Sequence, residues 1–172
     1  MDTRASWVVE VPVNSNRHAP LGLKTPIHQQ PETPGIPEGT DAPQQLEVVV
    51  IFTDTAGTLA ALQTADRLAK RLDARLRLLL PYEVPYTLPL TTPAVAVGFL
   101  EGQLQAVACK VPLEISAHVF LCRDKRRTLR LILKPHSLVV IGGRKRWWPT
   151  EEQRLVSLLK KGGHHVVFAE MR

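Results

Sequence analysis

The chain is poor in cysteine and has no long apolar run. Its two cysteines, Cys109 and Cys122, have 12 residues between them and form no CxxC pair. We therefore expect a buried pair of reduced thiols and a reducing compartment. No segment approaches the roughly 18 apolar residues of a membrane span, and the first residues lack the apolar core of a signal peptide. These shortages predict a soluble, cytoplasmic protein without membrane insertion.

The chain also lacks the spacings that carry metal or catalytic chemistry. His164 and His165 are adjacent, so on a strand they would point to opposite faces of the sheet. His118 and His136 have no Cys, His or carboxylate at ligand spacing, and no Ser-His-Asp or Cys-His order is present. We expect no metal, no catalytic residue and a protein that is not an enzyme.

Residues 1–45 differ in composition from the rest. They hold seven of the 14 prolines, with three basic residues against five acidic ones, and leave 19 basic and 11 acidic residues to the remainder. We predict an extended or disordered arm over residues 1–45 and one α/β domain over residues 46–172. Within the arm, residues 6–13 could add a strand to a sheet edge or stay an unstructured tail.

Beyond the arm, strand and helix patterns alternate. Apolar segments, the first of them a continuous β-branched run, predict strands over residues 46–52, 74–82, 113–121, 137–143 and 164–170. Amphipathic segments predict helices over residues 58–72, about 94–110, 125–133 and from Thr150 to Gly162. Asp124 is the expected N-cap of the third helix, and Thr150 should form a capping box with Gln153 at the fourth. This order predicts a five-stranded parallel sheet sandwiched by helices, a Rossmann-like α/β fold, because each parallel connection needs a right-handed crossover.

Parallel sheets of this kind bind ligands beyond the carboxyl ends of the strands, where the strand order reverses. Two loops should meet there, "TDTAGT" after the first strand and "GGRKRWW" after the fourth. Glycines followed by a helix N-terminus are typical of phosphate sites, since free N–H groups and the helix dipole face the turn. The candidate cofactor-binding residues are Thr53, Asp54, Thr55, Gly142, Gly143 and Arg144.

With these segments in place, the chain resembles the universal stress protein family over residues 46–170. The likeness is in the first strand and its loop, "VVVIFTDTAGTLAAL", and in the fourth strand, "SLVVIGGR". Asp54 stands where that family has an aspartate facing adenine. The resemblance implies ATP as a cofactor and homodimers that pair through the C-terminal strand "HHVVFAEMR".

The glycine motif of the nucleotide-binding members is broken in this sequence. Gly142 fills its first position, but Lys145 stands at the second, and Leu155 and Val156 stand where the motif has Gly and Ser or Thr. The motif's glycines let the backbone approach phosphates closely, and its hydroxyl adds a hydrogen bond. We therefore expect no standard ATP binding and no bound cofactor.

The sequence allows two interpretations of Asp54 and two of the loop after the fourth strand. Asp54 would accept N–H groups at the start of the first helix, helped by Thr55 and Thr58, or contact a ligand, and the two roles are compatible. The "RKRWW" loop, residues 144–148, would bind phosphate or nucleic acid, or it would be a solvated loop whose tryptophans pack on the core or on a partner.

Three hypotheses for function follow. The first is a universal-stress-protein-like regulatory or interaction module, homodimeric and open to protein partners. The second is a nucleotide-binding protein that uses the crevice between Asp54 and Gly142. The third is binding of nucleic acid or another polyanion through the basic helix of residues 125–134 and the "RKRWW" loop, although nucleic acid is not the partner we expect.

Overall fold

The fold is described from a computed structural model of the chain. It covers residues 7–11, 46–90, 93–112, 114–145, 147 and 150–171, with the backbone alone for residues 7–11. The rest of the predicted arm lies outside the described residues. Arg146 and Trp148 of the "RKRWW" loop lie outside them too.

Six strands and four helices make up the described part. The strands are β1 (Trp7–Val11), β2 (Glu47–Ile51), β3 (Arg75–Glu83), β4 (Ile115–Cys122), β5 (Leu138–Gly143) and β6 (His165–Glu170). The helices are α1 (Thr55–Leu72), α2 (Val97–Ala108), α3 (Lys125–Ile132) and α4 (Glu151–Lys161). Each strand and helix predicted from residue 46 onward is confirmed, with ends shifted by a few residues.

The sheet order is β1-β4-β3-β2-β5-β6. β2 to β6 are all parallel, which confirms the predicted five-stranded parallel sheet. β1 adds an antiparallel strand at the outer edge of β4, so the edge-strand interpretation of residues 6–13 is the one that the structure supports. The strand order reverses between β2 and β5, and this switch point lies beside the first strand of the α/β domain as expected.

Helices cover both faces of the sheet. α1 and α2 pack on one face, where Leu62, Leu78 and Leu104 are fully buried. α3 and α4 pack on the other face through Leu129 and Leu159. Alternate residues of β2 serve the two faces, which explains why that strand reads as a continuous β-branched run.

Two expectations about single residues and one about a helix boundary are corrected. Cys122 is buried, but Cys109, the C-cap residue of α2, is exposed. The apolar spacing along α1 would place Leu72 on the buried face, but this last residue of the helix is 43% exposed. The second helix begins at Val97, later than position 94. Gly98 and Gly102 face open space on that helix, so its packing does not depend on them.

Candidate functional site

The two predicted loops do meet at the carboxyl edge of the sheet. Thr53 follows β2, and its hydroxyl donates to the carbonyl of Gly142 at the end of β5, at 3.0 Å. The backbone N–H of Thr53 donates to the hydroxyl of the fully buried Thr58 at 3.1 Å. Hydrogen bonds therefore tie the first turn of α1 to β2 and β5 directly across the switch point.

Two glycines let the backbones touch at this place. A Cβ placed on Gly142 would stand 1.7 Å from the carbonyl oxygen of Gly57, and one on Gly57 would stand 2.9 Å from that of Gly142. Real Cβ atoms do not approach so closely, so both positions require glycine. Gly142, predicted as the first glycine of a phosphate motif, contacts the first turn of α1.

Asp54 is the N-cap of α1. Its carboxylate accepts the N–H of Gly57 at 2.6 Å, which satisfies one of the free donors at that helix end. The structure confirms the N-cap interpretation of this aspartate. Thr55 is exposed in the first turn of α1. Thr58 holds the same turn in place, because its hydroxyl accepts the N–H of Thr53.

The N-terminus of α4, where the resemblance would place phosphates, is closed by its own side chains. Thr150 and Gln153 form the predicted capping box, each side chain bonded to the other residue's N–H. Glu151 and Glu152 stand in the same first turn. A Cβ on Gly143 would meet the side chain of Glu152 at 3.2 Å, so a carboxylate side chain lies next to the second glycine.

The N-terminus of α3 is satisfied by carboxylates as well. Asp124 accepts the N–H groups of Arg126 and Arg127 at 2.8 and 3.0 Å. Glu83, at the end of β3, accepts the N–H of Lys125 at 2.8 Å. A helix N-terminus favours negative charge, and α1, α3 and α4 each have that charge supplied from within the chain.

Little space is left at the switch point. A cavity of about 60 Å³ lies between the N-termini of α3 and α4, lined by Thr53, Lys125, Glu151, Glu152 and Leu155. Pockets for nucleotide-sized ligands span roughly 300–1,000 Å³. Lys125 faces Glu151 at 3.9 Å, so the lysine beside the cavity already has an anionic neighbour.

The loop that leaves β5 presents cations and an aromatic side chain to solvent. Arg144 and Lys145 are exposed, and Trp147 is 96% exposed. Among the predicted site residues, Thr53, Asp54, Gly142 and Gly143 come together at the switch point, whereas Arg144 lies outward of them. A fully exposed tryptophan favours the partner-contact interpretation over packing on the core.

The buried thiol of Cys122, at the end of β4, is not an activated nucleophile. Burial raises the pKa of the Cys122 thiol, and its Sγ lies 3.5 Å from the carbonyl oxygen of Tyr82, so the thiol stays protonated at neutral pH. No three His, Cys, Asp or Glu side chains within the described part of the chain are grouped so as to hold a metal ion.

Sequence reasoning missed three residues that shape this edge. Gly57 makes the closest backbone contact. The pattern that could have predicted it is a glycine in the first turn of a helix that follows a buried strand. Glu83 and Arg123 act across the sheet, on the N-terminus of α3 and on the loop after β3. No local pattern predicts these two roles, since the partners lie 35 to 42 residues away in the chain.

The fold and the site define a class, a doubly wound α/β domain whose switch point is closed by contact between its own backbone segments. No protein-family model and no curated protein matches the sequence. No helix in the described part is long and apolar enough to cross a membrane. The likeness to universal stress proteins therefore stays a prediction from the motifs quoted above.

Proposed function

We propose that this chain is a universal-stress-protein-like regulatory or interaction module that does not bind ATP in the standard way. The observation that carries the proposal is the small volume of the cavity at the switch point, about 60 Å³. Pockets that hold ligands of nucleotide size are several times larger.

Electrostatics supports the same proposal. The three helix N-termini around the switch point are served by Asp54, Asp124 and the pair Glu151 and Glu152. Negative charge is therefore already present at these three helix starts, and it repels a second anion. Arg144 and Lys145 are exposed side chains rather than a backbone cradle, and flexible cations alone bind phosphate weakly in water.

Calorimetric titration with ATP, ADP, AMP and cyclic dinucleotides tests the proposal. We expect either no heat of binding or a Kd above about 1 mM for every ligand. The matched variant is Asp54→Asn, which keeps an N-cap side chain but removes its charge. A sub-millimolar Kd that this substitution changes would place a nucleotide at the switch point and contradict the proposal.

The module would act as a homodimer with access to protein partners. Among the described strands β6 pairs with β5 alone, so its other edge offers backbone groups to a second copy. Trp147 gives such a module an exposed aromatic anchor of the type that dominates protein interfaces.

A further inference from the structure

Positive charge is concentrated in one part of the chain. Residues 123–161 hold 12 of the 22 basic residues and only three of the 16 acidic ones. These residues form α3, β5 and α4, so the charge gathers on the helix layer that covers one face of the sheet.

An open groove of about 440 Å³ lies along α4 beside the start of α3. It is lined by Arg126, Gln153, Arg154, Ser157, Leu158 and Lys161. Three of these residues are cations, two are neutral hydrogen-bonding residues, and no carboxylate is among the described lining residues. The groove is several times larger than the cavity at the switch point.

The groove cations have no acidic partner within the described residues. The ion pairs found there join Lys70 to Asp66, Arg77 to Glu47 and Lys125 to Glu151. Arg126, Arg154 and Lys161 make none of them. Cations that share a groove repel one another, and a bound anion converts this repulsion into charge-assisted hydrogen bonds.

We propose that this groove docks a short acidic segment of a partner protein, whose carboxylates pair with Arg126, Arg154 and Lys161. The inference rests on the proposed function as an interaction module and names the chemistry of its partner. Guanidinium groups match carboxylates with two parallel hydrogen bonds, so the two arginines set the position of the segment. The lysine adds a point charge at the far end of α4.

Neutral groups in the groove can hold the backbone of the segment. The Gln153 side chain uses its oxygen in the capping box, which leaves its amide NH₂ group to donate. The Ser157 hydroxyl donates to the carbonyl of Gln153 at 3.0 Å, which leaves its lone pairs to accept. Leu158 offers a half-buried apolar contact between these polar groups.

The length and composition of the groove favour a peptide over a nucleic acid. From Gln153 to Lys161 the helix rises about 12 Å, the span of about four extended residues. Glu151 and Glu152 lie in the first turn of α4, at one end of the groove. A nucleic acid that extended past the groove would bring its phosphates close to these two carboxylates. No aromatic residue is among the described groove residues, whereas single strands are bound by stacking on aromatic side chains.

Fluorescence anisotropy with a labelled peptide of glutamate, serine and glycine tests the inference. Its control is the same peptide with glutamine in place of glutamate. We expect the glutamate peptide to bind with a Kd of tens of micromolar at about 50 mM salt, and the glutamine peptide at least about tenfold more weakly. Equal binding of the two peptides would overturn the inference.

Charge reversal locates the binding. Arg154→Glu with Lys161→Glu should weaken the glutamate peptide at least about tenfold. The matched control is Arg67→Glu with Arg71→Glu, the same charge change at exposed positions of α1 on the opposite face of the sheet. An equal loss in both double variants would show attraction by net charge alone and overturn the inference. Should the reversal variant fail to fold, Arg154→Gln with Lys161→Gln replaces it, with the same expected direction.

An oligothymidine of similar length is the third probe. If it binds as tightly as the glutamate peptide, and its affinity falls steeply with salt, the surface is a nucleic-acid site and the inference is overturned. If the glutamate peptide does not bind while the calorimetry finds no nucleotide, the acidic-segment inference alone fails. The proposed function stands or falls on the nucleotide titration.

Discussion

At the scale of single residues, the contact between Gly57 and Gly142 has the largest consequence. It brings the first turn of α1 against the end of β5 without an intervening side chain. The hydroxyl of Thr53 then reaches the Gly142 carbonyl. A residue with a Cβ at either place would push helix and strand apart.

The first prediction concerns Gly142→Ala. The added Cβ meets backbone, which cannot rotate away as a flexible side chain would, so we expect a loss of about 2 kcal/mol or more in the free energy of unfolding. The matched control is Gly102→Ala in the middle of α2, where a Cβ meets nothing within 4 Å. That change should stabilise the protein by about 0.5–1 kcal/mol. Urea unfolding measures both, and an unchanged stability of Gly142→Ala would show that the contact is loose.

Local chemistry made several residue roles predictable. Asp54, Asp124 and the Thr150–Gln153 box were all predicted as helix starts, because a cap and its N–H partners lie within three residues of each other. The exposure of Cys109 was not predictable in this way. Cysteine is commonly buried, and only the packing of α2 decides which of its ends faces solvent.

At the scale of elements, Arg123 organises the loop that follows β3. Its guanidinium donates to the carbonyls of Val84, Pro85 and Leu88, and it stacks on the ring of Tyr86 at 5.2 Å. One side chain thus satisfies three carbonyl groups of a segment without regular secondary structure. The planar fork of arginine suits this task, whereas a lysine ammonium is a point charge on a flexible stem.

The second prediction is that Arg123→Lys loosens this loop. We expect a loss of about 1–2 kcal/mol in the free energy of unfolding. We also expect faster amide exchange at Leu88, whose N–H donates to Pro85. Hydrogen exchange read by mass spectrometry measures the second effect. Arg127→Lys, at an exposed position of α3, is the control and should leave exchange in residues 84–90 unchanged. Equal exchange in the two variants would refute the role given to Arg123.

At the scale of the whole molecule, β6 is the last strand of the sheet on one side, as far as the described residues go. The N–H groups of His165 and Met171 donate to Ser137 and Gly143 on the β5 side. Backbone groups alternate along a strand, so the N–H groups of Val166 and Phe168 point away from β5. These are the donors that a second copy would use in the proposed homodimer.

The third prediction separates Val166→Pro from Val166→Ala. Proline removes the outward N–H and leaves the pairing with β5 in place, as edge strands tolerate. Alanine shortens the same side chain and keeps the donor. Light scattering at micromolar concentration should find dimers for the wild type and for Val166→Ala, and monomers for Val166→Pro. A monomeric wild type would refute the dimer. A dimeric Val166→Pro would show that the dimer interface does not use this edge of β6.

The sequence by itself determined the order of elements, the parallel sheet and the helix caps. These follow from apolar periodicity and from contacts between residues close in the chain, so the polypeptide specifies them locally. It also placed Thr53, Asp54, Gly142 and Gly143 at one point, since parallel strands bring their carboxyl ends to the same edge.

Only the tertiary structure decided whether that point is open. The distance between Gly57 and Gly142 depends on how closely α1 packs on β5, and this packing joins segments 85 residues apart in the chain. The groove along α4 has the same origin, because Arg126 and Lys161 become neighbours only when α3 and α4 pack side by side on one face of the sheet. Close packing between distant segments leaves no periodic trace in the sequence.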